Sequence, residues 1–169
     1  MIRIVKANAE HVDGISKVCS DSYYETYKEI YSDNYIKGIV KKFYNKERIL
    51  KEVSETRKEW GGYFVALEKD EVVGAGGGGM TDDTTGEVFV LYLKPARRSE
   101  GIGTLLLAAI TKQQKEEFNA NKQWVSVAKS NLKAIPFYEA RGFKYRYETS
   151  GYGNVDGERY TTLRYYREI

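Results

Sequence analysis

Apolar residues recur along the chain with changing period, and each change marks an element. Ile2, Ile4 and Val5 read as a short strand. Asn8 is a helix N-cap, and Val12, Ile15, Val18, Cys19 and Ser22 follow at helical spacing. From Tyr31 to Lys58 the chain is charged, with Ile36, Ile39, Val40, Phe43, Ile49, Leu50 and Val53 on an apolar side, which predicts helix in two pieces broken near Asn45. From Gly62 the period becomes that of strands. Residues 63–67 and 72–75 form an expected hairpin about the polar turn 68–71, followed by a glycine run to Met80. The run of glycines at 76–79 is expected to be a flexible or bulged strand end, rather than a phosphate nest.

Residues 88–93, Val-Phe-Val-Leu-Tyr-Leu, are apolar on both faces and suit a central covered strand that Pro95 ends. Beyond Gly101 and Gly103, Leu105, Leu106, Ala109 and Ile110 predict an amphipathic helix of about four turns. A strand at 124–128, a short helix capped by Asn131 and stopped at Gly142, and final strands near 143–152 and 160–167 complete the pattern. Gly153, Asn154, Asp156 and Gly157 join the last two strands. The expected order is β α α β β β α β α β β, an α+β fold with a mixed, mostly antiparallel central sheet and helices on both faces.

A length of 169 residues fits one domain, 1–169, with no repeat or linker to divide it. One cysteine, Cys19, and one histidine, His11, leave no disulfide within the chain and no Cys/His zinc site, and any Ser-His-Asp triad would need His11 as its base. No metal is expected. The net charge of +3 is too small to point to nucleic acid or an anionic membrane. No stretch approaches the roughly 18–20 apolar residues of a membrane span, and the start reads as no signal peptide, so a cytoplasmic protein is expected. Fifteen tyrosines, many between Tyr23 and Tyr44, point to amphipathic filling or to an aromatic site.

The densest chemistry lies at residues 91–104, a strand, a basic glycine-containing turn and a helix start. Free N–H groups and the helix dipole make such a turn a phosphate cradle. The dinucleotide and Walker patterns both fail here, since Thr104 follows Gly103. What is present is Arg98-x-x-Gly101-x-Gly103, and about thirty residues on comes Asn131-x-x-Ala134-x-x-Phe137-Tyr138-x-x-x-Gly142-Phe143. Both patterns are complete, and with them the chain resembles the GNAT superfamily of acetyl-coenzyme A-dependent N-acetyltransferases, strongly from Tyr63 to Phe143 and loosely before Gly62.

The resemblance implies acetyl-coenzyme A as co-substrate, its pyrophosphate on Arg98, Ser99, Glu100, Gly101, Ile102, Gly103 and Thr104. It implies a bulged strand at Leu91, Tyr92 and Leu93 pairing with the pantetheine arm, an exposed N–H near Leu91 on the thioester carbonyl, and Asn131 on the arm. Tyr138 resembles the general acid that protonates the departing thiolate. Asn131 as a plain helix cap and Tyr138 as a packed tyrosine are the structural alternatives.

Amine acetylation needs a neutral amine, and deprotonating a lysine-like ammonium at neutral pH costs roughly 4–5 kcal/mol. Glu87 is the candidate base, direct or through water, beside Asp82, Asp83 and His11. Tyr27 and Tyr31, in the series Tyr23, Tyr24, Tyr27, Tyr31, Tyr35 with Asp21, Glu25 and Glu29 interleaved, are the candidate acceptor residues, with Tyr147, Tyr152 and Tyr160 opposite. The expected reaction is direct attack by a small cationic amine, without a covalent intermediate on Cys19. A protein N-terminus or lysine acceptor, or a silent acyl-CoA-binding module, are the alternatives. Members of the superfamily are often dimers, so a homodimer stays open.

Overall fold

A computed structural model describes residues 1–150 and 160–169. The first strand, β1, spans Arg3–Lys6. Asn8 then caps the chain reciprocally: its Oδ1 accepts from the Glu10 N–H at 2.9 Å, and its own N–H donates to His11 Nδ1 at 3.1 Å. The capped turn, Ala9–His11, runs into helix α1, Val12–Tyr27. Ser32 caps α2, Asp33–Phe43, and Asn45 caps α3, Lys46–Ser54, by accepting from the Arg48 N–H at 2.8 Å. The break expected near Asn45 is thus a capped boundary, and three helices rather than two precede the second strand.

The rest of the chain runs β2 (Tyr63–Glu68), β3 (Glu71–Met80), β4 (Thr85–Leu93), α4 (Ile102–Phe118), β5 (Lys122–Ala128), α5 (Ala134–Glu139), β6 (Lys144–Ser150) and β7 (Thr161–Glu168). Lys69 and Asp70, both at positive φ, form the two-residue turn between β2 and β3. The sheet order is β1-β2-β3-β4-β5-β7-β6, and of these neighbours β4 and β5 alone are parallel. This is the expected mixed, mostly antiparallel α+β architecture. Tyr152 and the expected β6–β7 turn through Gly153, Asn154, Asp156 and Gly157 lie outside the described residues. Helices cover both faces. Val65 packs with Ile15, Cys19, Ile39 and Ile49 of α1, α2 and α3, while its neighbour Ala66 points the other way, toward Ile102 and Leu106 of α4. Among the described residues no helix is long and apolar enough to cross a membrane.

The glycine run is not a flexible strand end, although the irregularity expected of a bulge does fall within it, between Gly77 and Gly78. It lies inside the ten-residue β3, buried on both faces, where its neighbours approach too closely for side chains. A Cβ on Gly77 would meet the Trp60 ring at 2.7 Å, and one on Gly79 would meet the Glu59 carbonyl at 2.0 Å. From the opposite side, one on Gly78 would strike Gln114 Nε2 at 2.8 Å. The glycines admit a loop to one face and a buried glutamine to the other.

Strand β4 is central in order but not covered throughout. It pairs with β5 only from Thr85 to Val88, after which the two parallel strands separate. At the parting point Gly77 registers with Val90 and Gly78 with Val88, so Phe89 is an extra residue, a β-bulge that is 46% exposed. The expectation of burial on both faces fails for residues 89–93 because β5 no longer lies beside them. Gln114, fully buried on α4, holds this junction: its Nε2 donates to the Glu87 carbonyl at 3.0 Å, and its Oε1 accepts from Gln123 Nε2 at 3.0 Å. Gln123 Oε1 in turn accepts from Arg167 Nε at 2.9 Å.

Candidate active site

The gap between β4 and β5 opens a cleft of about 790 Å³, closed by the start of α4, by α5 and by Ser22 and Thr26 of α1. At its α4 end, Ser99 and Gly101 take positive φ (67° and 82°), and Gly101 is the N-cap. A glycine cap has no side chain to accept hydrogen bonds, and the first turn of α4 carries no acidic residue, so the first N–H groups of the helix remain available to an anion. A Cβ on Gly101 would meet nothing within 4 Å, leaving the left-handed backbone as its reason for being glycine. One on Gly103 would sit 3.2 Å from the Phe137 ring, so close packing of α4 on α5 accounts for that position as well.

Arg98, Ser99, Gly101, Gly103, Thr104, Leu91, Tyr92, Leu93 and Asn131 all line the cleft. Glu100 and Ile102 do not. Glu100 turns out to pair with Arg97 at 2.8 Å, and Ile102 is wholly buried against Ala66 and Leu106, so at those two positions the chain offers backbone alone. Lys133 and Arg141 join Arg98 among the lining residues, and among the described residues no carboxylate does. Arg141, which the sequence reading passed over, donates to the Thr104 hydroxyl and lies 3.8 Å from the centre of the Phe137 ring. Arg98 donates to Thr26 Oγ1 at 2.7 Å, tying the turn to α1. A cleft with three basic side chains, open N–H groups and no acid among the described residues fits a polyphosphate ester such as coenzyme A.

The backbone of β4 supplies donors along the same cleft. The Lys94 N–H donates to the Val73 carbonyl at 2.8 Å. Hydrogen-bonded and open pairs alternate along an antiparallel ladder, so Leu93 and Leu91, registered with Gly74 and Gly76, direct their N–H groups away from β3, toward the side that β5 has left. Tyr138 of α5 lines the cleft too, packed edge-on against Phe137 and Phe143. Burial pushes its hydroxyl well above the ordinary tyrosine range, so it holds its proton. The cap of α5 falls on Lys133 rather than on Asn131, but Asn131 Oδ1 still accepts from the N–H of Ala134, the first helical residue, at 3.2 Å, while its Nδ2 donates to the Tyr27 hydroxyl at 3.3 Å.

A second chamber, about 350 Å³, lies between β4 and the helices α1, α2 and α3. Tyr23, Tyr27, Tyr31, Tyr35, Tyr44, Tyr63 and Trp60 contribute its rings. Tyr27 and Tyr31 stack at 4.7 Å, and Tyr160 meets Tyr31 at 4.2 Å. Burial raises the hydroxyls of Tyr23, Tyr27 and Tyr31, which stay neutral. The sequence spacing thus located four of the rings, but Tyr24 is half exposed outside the chamber and Tyr147 packs on Trp124 instead.

Among the described residues, the acids of this chamber are Glu52 and Glu87, with Arg48 as its one base. Asp21 and Glu25 are paired with surface lysines, and neither they nor Glu29 line it. Asp82 and Asp83 bind a turn and Lys58, and His11 caps α1's approach, all away from both spaces. Glu87 is held by Arg164, whose Nη1 and Nη2 lie 2.7 and 2.9 Å from its two oxygens. Tyr92 lines both cleft and chamber. So does α1: Ser22 and Thr26 face the cleft, and the next residues, Tyr23 and Tyr27, face the chamber.

A family model described as the acetyltransferase (GNAT) family matches residues 21–143. The spermidine N(1)-acetyltransferase of Thermoplasma acidophilum is 28% identical over 144 residues, 85% of this chain and 88% of that protein. Among solved structures, the paia N-acetyltransferase from Thermoplasma acidophilum in complex with coenzyme A superposes with a TM-score of 0.82 at 24% identity, covering 100% of this chain and 99% of the other. An N-acetyltransferase from Staphylococcus aureus superposes at 0.74 with 20% identity, covering 99% and 98%.

Proposed function

The chain belongs to the acetyltransferase (GNAT) family, and on that premise we propose that it transfers the acetyl group of acetyl-coenzyme A to a primary amine of a small cationic acceptor, by direct attack in a ternary complex. One observation carries this reading: among the described residues, a cleft lined by three basic residues and no acid meets, at Tyr92, an aromatic chamber lined by two carboxylates. The first suits a polyphosphate. The second suits an ammonium, through carboxylates and ring faces. A space of about 350 Å³ is at the small end of ligand sites and favours a small molecule over a protein segment. The similarity to a spermidine acetyltransferase supports the same class of acceptor.

In this reading the first N–H groups of α4, with Arg98 and Arg141, hold the pyrophosphate, and Asn131 and the edge of β4 hold the pantetheine arm. When bound, acetyl-coenzyme A supplies its acetyl group as a thioester. The Leu91 N–H donates to the thioester carbonyl, where negative charge develops during attack. Glu87, positioned by Arg164, takes the amine's proton directly or through water, and Tyr138 gives its proton to the departing thiolate. Cys19, wholly buried with its thiol pushed up by desolvation, takes no part.

The test is thiol release from acetyl-coenzyme A with small amines, amino acids, and peptides bearing free N-termini or lysines. Turnover is expected with small amines well above peptides. Turnover confined to peptides, or none with any amine, would overturn the reading.

A further inference from the structure

Glu52 enters the chamber from α3, on the wall formed by the helices and facing β4. Its side chain is mostly buried, and its Oε1 is fully enclosed with no hydrogen-bond partner. Arg48 meets only the other oxygen, Oε2, at 3.5 Å, well beyond the roughly 2.7–2.9 Å of a tight charged hydrogen bond. The guanidinium is otherwise occupied, lying over the Phe43 ring at 4.7 Å and donating to the Lys42 carbonyl at 3.3 Å. Trp60 donates its Nε1–H to the Glu52 backbone carbonyl at 2.9 Å and packs on Tyr63, which fixes rings beside the carboxylate. Glu87, by contrast, has both oxygens taken by Arg164. Among the described residues, the carboxylate oxygen of this chamber left without a donor is therefore on Glu52.

The nitrogen that attacks a thioester must be neutral, and its proton goes to Glu87 on β4; a nitrogen held at Glu52, on α3, is a different one and stays protonated beside the carboxylate. The reacting end belongs near Tyr92 and Leu91 on β4, where chamber and cleft adjoin, and Glu52 stands on the helical side. We propose that Glu52 is the anchor for a second, non-reacting ammonium group, so that the acceptor is a diamine or polyamine bound by both ends, with the tyrosine and tryptophan rings along its methylene chain. This rests on the small-amine reading above and narrows it to a substrate class and a specificity-determining residue.

The experiment compares 1,4-diaminobutane and spermidine with butylamine, in the intact protein and in Glu52→Gln and Glu52→Asp. The intact protein is expected to favour the di- and polyamine by about tenfold or more in kcat/KM, the scale of one charge-assisted contact. In Glu52→Gln the KM for the diamine should rise about tenfold with kcat nearly unchanged, butylamine should be unaffected, and Glu52→Asp should retain part of the preference. Melting temperature checks the fold of each variant. Equal use of butylamine and diamine by the intact protein would overturn this inference and leave the small-amine reading standing. Equal loss for both amines in a folded Glu52→Gln would do the same, pointing to a buried water at Oε1. Acetylation of peptides and of no small amine would remove both.

Discussion

Glu87 and Arg164 meet through two hydrogen bonds, at 2.7 and 2.9 Å, with the carboxylate side chain 7% and the guanidinium side chain 15% exposed. They lie 77 residues apart in sequence and are joined across β5, where Arg164 registers with Ser126 and donates to its hydroxyl. Arg164→Met would leave a buried carboxylate without its partner and is expected to lower stability by about 3–5 kcal/mol. In chemical denaturation the double variant Glu87→Gln/Arg164→Met should recover much of that loss, since the cost is the stranded charge.

If Glu87 takes the amine's proton, Glu87→Gln alone lowers kcat, while coenzyme A binding is unchanged. Coenzyme A affinity lost together with kcat would instead mean that the pair only shapes β4.

Tyr138→Phe removes one oxygen and keeps the ring contacts with Phe137 and Phe143. The expected result is a fall in kcat of about 100-fold with little change in the KM for acetyl-coenzyme A, the pattern of a group that acts only as the thiolate leaves. Unchanged kcat, with thiol release confirmed as rate-limiting, would reduce Tyr138 to a packed ring.

Gly103→Glu places a charge and bulk at the first turn of α4, against Phe137. Calorimetric titration is expected to show coenzyme A affinity reduced by about 100-fold or more, with the melting curve still cooperative. Undiminished binding would place the pyrophosphate elsewhere.

Gln114→Met strands the Glu87 carbonyl and the Gln123 amide that the glutamine serves, and is expected to cost about 1–3 kcal/mol in denaturant unfolding. This residue also marks the limit of what the sequence discloses. The basic turn at 98–104 and the 131–143 segment are legible because their chemistry is local: residue types and spacing alone place donors at a helix start. The rings at Tyr23, Tyr27, Tyr31 and Tyr35 are legible for the same reason, through helical spacing. Gln114, Glu52, Arg141 and Arg164 are not, because each acquires its role from pairing between distant elements. In a chain with 24 acidic and 27 basic residues, nothing local sets them apart. The glycine run misleads for the same reason, since its cause is a neighbour 17 residues upstream at Trp60 and another on α4.

Burial raises the Glu52 carboxyl above the usual carboxylate range, so the folded chain disfavours its charge. For an acid with a raised folded pKa, the destabilisation is absent below the unfolded pKa, about 4.3, and develops as pH rises through the folded value. Glu52→Gln is therefore expected to melt at a higher temperature than the native protein at pH 7, in the absence of amine, and at the same temperature near pH 3. A lower melting temperature at pH 7 would show that the Arg48 contact outweighs desolvation.

Helix α1 touches the cleft with Ser22 and Thr26 and the chamber with Tyr23 and Tyr27, and Arg98 and Asn131 are fastened to it at Thr26 and Tyr27. With donor in the cleft and acceptor in the chamber, as proposed above, one helix contacts both through adjacent rows of side chains, and filling either space is expected to alter affinity in the other by a factor that thermodynamic reciprocity makes the same in both directions. Titrating each substrate with the other saturating reads that factor twice, and the two values must agree.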